Sequence, residues 1–164
     1  MTATFTQIGW IGLGQMGVPM VNRLLAHDIH VSVYNRNAEK CTQFADKGAK
    51  IYANATELVA NNQAVILMVS DYAAVVDILN ADVCAELNGK IIVNMSTVAP
   101  TENLKIKALV EQHGGLFAEA PVLGLVVPAT NGTLLILFGG NAEVLQPLQG
   151  VFDVLGQRTF HFGE

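Results

Sequence analysis

The stretch "GLGQMG", residues 12–17, decides how the rest of the chain is read. It matches G-x-G-x-x-G, a pattern with little meaning outside its setting. Upstream, "TQIGWIG" (6–12) reads as a strand running into a glycine turn. Downstream, "MGVPMVNRLLAHD" (16–28) places Met16, Met20 and Leu24 at i, i+4 and i+8, which is one face of a helix. Pro19 falls in the first turn of that helix, where a missing N–H costs little. The glycines therefore join a strand to a helix, the setting in which this pattern holds a dinucleotide. Gly12 makes the tight turn, Gly14 lets a pyrophosphate approach the backbone, and Gly17 lets the helix pack on the sheet. The phosphates then meet free N–H groups at the positive end of the helix dipole.

Outward from this unit the alternation continues. Strands are expected at 30–35, at "AKIYA" (49–53), and at 64–70, 90–96, 116–120, 133–140 and 158–163. Helices are expected at 38–48, 56–61, 71–80, 101–115 and near 142–154. Asn37 and the pair Lys47-Gly48 supply start and stop signals for the second helix. By periodicity alone, "PVLGLVVPATNGTL" (121–134) is a loop between strands. Strands alternating with helices of this length give βαβ units, hence an α/β, doubly wound, mainly parallel sheet with helices on both faces. No repeat, low-complexity tract or linker divides residues 1–164, so they form one dinucleotide-binding domain.

Composition narrows the function classes. Hydrophobic residues make up 51% of the chain, yet the longest apolar run, "AVILMV" (64–69), is far too short to span a bilayer. The N-terminal "MTATFTQ" has neither a basic nor an apolar signal region, so no secretory signal is expected. Two cysteines, Cys41 and Cys84, are too few for a disulfide framework and point to a reducing, cytoplasmic compartment. A net charge of −5 argues against nucleic-acid binding by bulk electrostatics.

The tip of the second strand bears on cofactor choice. NAD-binding units place Asp or Glu about 20 residues beyond the glycines. Here the tip reads Tyr34, Asn35, Arg36, Asn37, without a carboxylate. Asn35 does not repel a 2′-phosphate, Arg36 can pair with one and stack on adenine, and Lys40 adds charge one turn later. NADP(H) is therefore favoured over NAD(H).

The segment 8–36 resembles the opening of the β-hydroxyacid dehydrogenases, which include 3-hydroxyisobutyrate dehydrogenase, the glyoxylate/succinic semialdehyde reductases and, more distantly, 6-phosphogluconate dehydrogenase. Three further segments agree in order and spacing. "ILMVSD" (66–71) resembles the fourth strand and its loop, and "NMSTVAP" (94–100) the D-x-S-T-x-x-P motif. "EAPVLGLVVPATNGTLLILFGG" (119–140) resembles the D-A-P-V-S-G-G motif and its continuation. The resemblance implies hydride transfer between a nicotinamide cofactor and a small hydroxy acid or semialdehyde. It implies that Gly12, Leu13, Gly14, Gln15, Met16 and Gly17 line the pyrophosphate, and that Asn35 and Arg36 hold the adenosine 2′ end. Met68, Val69 and Ser70 are then expected beside the adenosine, Ser96 and Thr97 near the nicotinamide ribose and substrate, and Leu123, Gly124 and Leu125 at the substrate carboxylate. No metal is implied.

Two departures follow from the same resemblance. The family's catalytic lysine, in G-x-G-x-x-x-K-x-x-N, lies beyond Glu164, so no catalytic residue is expected within these residues. The family's C-terminal helical domain, through which its members form homo-oligomers, is absent too. These residues are then expected to be the N-terminal part of a longer enzyme and inactive alone. Leu123 also stands where the family has serine, and Leu125 where it has a second glycine. That suggests a larger or less polar substrate, and keeps an imine reductase or a non-catalytic NADP-binding module as alternative readings.

Other residues are weighed on their own. His27, His30, His113 and His161 have no partner at metal-ligand spacing. Cys41 reads as core, and Asp71 as an N-cap. Glu119 either positions the pocket loop or is a strand-end surface carboxylate. Ser96 and Thr97 sit at a strand's carboxyl end, facing ligand or capping a turn before Pro100.

Overall fold

A computed structural model describes residues 4–164. Part of the segment read for a signal peptide, residues 1–3, lies outside the described residues. Six strands, β1 (Gln7–Ile11), β2 (His30–Tyr34), β3 (Lys50–Ile51), β4 (Ala64–Leu67), β5 (Ile91–Asn94) and β6 (Leu116–Glu119), form one parallel sheet in the order β3-β2-β1-β4-β5-β6. The chain winds outward from β1 in one direction, then returns and winds in the other from β4. The crevice where dinucleotides lie in such sheets opens between β1 and β4.

Parallel strands covered on both faces are apolar throughout, and β4 and β5 are buried end to end. Successive side chains serve opposite cores. Ala64 and Ile66 of β4 join Trp10, Val33, Met20 and Leu24 of α1 (Gly17–Ala26), and Leu148 and Phe152 of α8 (Ala142–Leu155). Val65 and Leu67 join the opposite core with Leu58 of α3 (Ala55–Ala60), Val75 of α4 (Tyr72–Ile78), and Ile106 and Val110 of α6 (Pro100–Gln112). No helix among the described residues is long and apolar enough to cross a membrane.

Three expectations need correction. The late strands do not extend the main sheet. β7 (Val122–Leu123), β8 (Leu134–Phe138) and β9 (Gly156–His161) form a second, three-stranded sheet, with β7 antiparallel to β8. Pro121 has no N–H to continue the β6 ladder. Its carbonyl instead accepts from the Leu137 N–H (2.9 Å), and an antiparallel Glu119–Gly139 bridge joins the two sheets.

Second, 121–134 is not only a loop, because it contains the helix α7 (Val126–Asn131), closed by Gly132 in the left-handed region (φ 67°). Third, 38–48 is split into α2 (Glu39–Thr42) and a 3₁₀ turn (Ala45–Lys47). The Thr42 hydroxyl donates to the Glu39 carbonyl, a local bond that competes with helix continuation. The start and stop signals hold: the Asn37 side chain accepts from the Glu39 N–H, and Gly48 is left-handed (φ 85°). A short helix absent from the sequence reading, α5 (Ala81–Ala85), carries the second cysteine.

Both cysteines are buried, and burial pushes both thiols above their ordinary value of 9.0, offset at Cys41 by the backbone N–H of Asn35. The folded state thus keeps protons that the unfolded chain releases. Stability is undiminished below pH 9.0 and falls as pH rises above it. Urea midpoints are expected to drop as pH rises past 9.0, and maleimide labelling to proceed only in denaturant. Rapid labelling of folded protein would contradict this.

Candidate functional site

The carboxyl edge of the main sheet is one aligned row. The strand registers pair Tyr34 with Ile11, Ile11 with Leu67, Leu67 with Asn94, and Asn94 with Glu119. The loops that leave this row carry the segments singled out in the sequence.

At its centre the glycine loop is locked in place. Gly12 has φ 109° and donates its N–H to the Tyr34 carbonyl (3.2 Å), while the buried Trp10 Nε1–H donates to the Gly12 carbonyl (2.9 Å). A Cβ at Gly12 would overlap the Met68 carbonyl, and one at Gly17 would overlap the Gly12 carbonyl. A Cβ at Gly14 would meet nothing within 4 Å. Two glycines are thus required by the protein's own packing, and the third opens onto free space. α1 has Met16 at its N-cap, with no side-chain cap bond, and carries no acid in its first turn. By contrast α3, α4, α5 and α8 are capped by Asn54, Asp71, Asn80 and Asn141. The start of α1 thus leaves N–H groups and a positive dipole end to an anion.

A groove of about 1290 Å³ runs over this loop. Gly12, Leu13, Gly14, Gln15, Met16, Gly17, Asn35, Arg36, Met68, Val69 and Ser70 all line it. At its β2 end Arg36 is exposed and makes no hydrogen bond or ion pair among the described residues. Lys40, and not the neighbouring Glu39, lines the groove beside it. The Asn35 carboxamide is engaged within the protein. It accepts from the Leu13 N–H (2.8 Å) and donates to the Asn37 carbonyl (3.0 Å), which fastens the β2 tip to the glycine loop. Asp71 is the N-cap the sequence indicated, accepting from the Ala74 N–H (2.9 Å).

Five candidate residues lie outside the lining of this groove. Ser96 is 1% exposed, and its hydroxyl accepts from the Val69 N–H (2.9 Å) and donates to the Leu67 carbonyl (3.4 Å). It braces the β4 and β5 loops instead of facing solvent. Thr97, next along, is exposed. Leu123, Gly124 and Leu125 lie past β6, where Leu123 is 56% and Leu125 77% exposed. Gly124 (φ 132°) is hemmed in by the Pro128 ring and the Leu134 side chain.

Sequence reading did not reveal the side-chain bonds behind this edge. The Asn94 carboxamide accepts from the Ser96 N–H (3.1 Å) and donates to Asn103 Oδ1 (2.9 Å), and Asn103 donates to Glu119 Oε2. Asparagines in a strand end and a helix give no periodic signal.

A doubly wound sheet with a locked glycine turn, an uncapped helix start and a groove over both is a dinucleotide-binding domain. Residues 7–163 match the NAD binding domain of 6-phosphogluconate dehydrogenase, and the chain belongs to that family. It is 34% identical over 161 residues to glyoxylate/succinic semialdehyde reductase 1 of Arabidopsis thaliana, covering 96% of this chain and 56% of the reductase. Mycobacterium tuberculosis 3-hydroxyisobutyrate dehydrogenase has a similar structure, with a TM-score of 0.90 at 29% identity over 98% of this chain and 55% of that one. An imine reductase from Bacillus cereus superposes with a TM-score of 0.89 at 28% identity over 96% of this chain and 55% of that one. The chain thus spans a little over half the length of these relatives.

Proposed function

We propose that this chain is the NADP(H)-binding domain of a reductase that acts on a small hydroxy acid or semialdehyde. The observation that carries the reading is the groove itself: open at Gly14, uncapped at α1, and flanked by Arg36 and Lys40 with no carboxylate at the β2 tip. The N–H groups of the glycine loop would hold the pyrophosphate, and Arg36 with Lys40 the 2′-phosphate. Leu13 supports the loop through Asn35. The bound nicotinamide would supply the hydride. Asn35 acts as a brace and Ser96 orients Val69, while Leu123 and Leu125 present an apolar wall to substrate. The proton donor for the substrate oxygen belongs, on this reading, to sequence beyond Glu164, as do the contacts of a homo-oligomer.

Fluorescence titration of the chain with NADPH and NADH tests the cofactor. NADPH is expected to bind at least about tenfold tighter, the value of one charge-assisted contact. Arg36→Asp is expected to reverse that order, and tighter NADH binding by the unaltered chain would defeat the proposal. An imine reductase is the second reading, favoured by Leu123 at the serine position. Turnover of cyclic imines but not of semialdehydes by the full-length protein would select it.

A further inference from the structure

The bonds among Asn94, Asn103 and Glu119 have a direction. Asn94 is fully buried and Asn103 is 7% exposed, so each of their polar atoms requires a partner. The Asn94 oxygen faces the Ser96 N–H, its nitrogen faces the Asn103 oxygen, and the Asn103 nitrogen faces the Glu119 carboxylate. At one end, Ser96 holds the N–H of Val69, which lines the cofactor groove. At the other end, Glu119 bridges to Gly139 and leads through Ala120 and Pro121 into the Val122–Leu125 segment. The Glu119 side chain also packs on Gly139, where an added Cβ would sit 3.0 Å from its Cγ and Oε1. The chain of bonds thus runs from the cofactor groove to the root of the apolar segment. It does so through side chains set across two adjacent strand ends, since Asn94 and Glu119 are partners in register.

We propose that Asn94, Asn103 and Glu119 are positioning residues that fix the groove edge at Val69–Ser70 relative to the substrate-side segment, and that the set tolerates one carboxylate only. This rests on the dinucleotide-binding reading above. The restriction follows from donor counting. An aspartate at 94 still accepts from Ser96 but cannot donate to Asn103. As oriented, Asn103 sets its oxygen against the new carboxylate, and turned end for end it sets that oxygen against Glu119. Two acceptors face each other in a buried setting, which is costly. Replacing Glu119 by glutamine supplies the missing donor, and both side-chain bonds form again with reversed polarity. The same suppressor repairs Asn103→Asp, because an aspartate at 103 accepts both from Asn94 and from the carboxamide that Glu119→Gln introduces. Glu119→Gln alone retains an acceptor for Asn103 and is nearly silent.

The test is a set of five variants of the 164-residue chain, read by NADPH titration and by thermal melting. Asn94→Asp and Asn103→Asp are each expected to weaken NADPH binding about tenfold and to lower Tm by roughly 4 °C or more. Glu119→Gln is expected to stay within about twofold of the unaltered chain, and both double variants to recover its affinity and Tm. Wild-type affinity in either single aspartate variant would overturn the positioning role. So would failure of Glu119→Gln to restore affinity in the doubles, even if Tm recovers. Should a single aspartate variant not fold, its double variant still decides, since it is expected to fold and bind. Absence of NADPH and NADH binding by the unaltered chain would defeat the cofactor reading instead, a result separable from any failure of the variants.

Discussion

Gly14→Ala is expected to abolish dinucleotide binding while leaving the fold intact. A Cβ at Gly14 meets nothing within 4 Å, and the backbone there is not at positive φ, so the folded chain accommodates alanine without strain. The only thing that methyl group displaces is a ligand lying on the loop. Close approach of a pyrophosphate to backbone N–H groups requires that space, and losing one or two charge-assisted contacts corresponds to about a 100-fold or greater fall in affinity. Gly12→Ala gives the opposite pattern. There φ is 109°, and the new Cβ would overlap the Met68 carbonyl where β1 and β4 end side by side. Left-handed strain and overpacking together destabilise by about 3 kcal/mol. Thermal melting separates the two: Gly14→Ala should melt with the unaltered chain, and Gly12→Ala well below it. A Gly14→Ala variant that still binds NADPH tightly would show that the phosphates lie elsewhere.

The contrast between these glycines bears on what the sequence made legible. The central strands were readable because most are short, apolar and separated by helices, whereas the break within 38–48 and the short α5 leave no periodic signal. The glycine loop was readable because a strand–turn–helix junction of this kind is written in glycines. Side-chain geometry was less accessible. For Asn35 and Ser96 the sequence carries no sign of the bonds they make within the protein. Both turn their polar groups inward, Asn35 to the Leu13 N–H and Ser96 to the Val69 N–H. Nothing in a linear sequence distinguishes a polar residue that faces a ligand from one that braces the loop holding it. The second sheet was hidden for a different reason. The apolar run in "TLLILFGG" (133–140) identifies a strand but not its partner, and Pro121 has no N–H to continue the β6 ladder.

The helix α7 was the least legible element, since six residues containing a proline carry almost no periodic signal. Its position is set from outside, by Arg23 on α1. The Arg23 Nε–H donates to the Val154 carbonyl (2.5 Å) in the last turn of α8, and its Nη1–H to the Thr130 carbonyl (3.4 Å) in the last turn of α7. The guanidinium also lies against Gly132, where any Cβ would collide with it. One cation therefore serves the negative ends of two helix dipoles and closes over the glycine that ends α7. Arg23→Ala would strand both carbonyls and remove this packing. Because Arg23 is only partly buried, the expected loss is about 2 kcal/mol, a fall in Tm of roughly 4–8 °C. Arg23→Lys is expected to recover less than half of that loss, because an ammonium on a flexible stem cannot hold two divergent carbonyls as a planar fork does. Amide exchange should accelerate in α7 before the central strands, since α7 depends on Arg23 and the six-stranded sheet does not. If Arg23→Ala melts with the unaltered chain and α7 stays protected, then the helix is held by Ala129 in the core alone, and the link between the cofactor helix and the apolar segment is not mechanical.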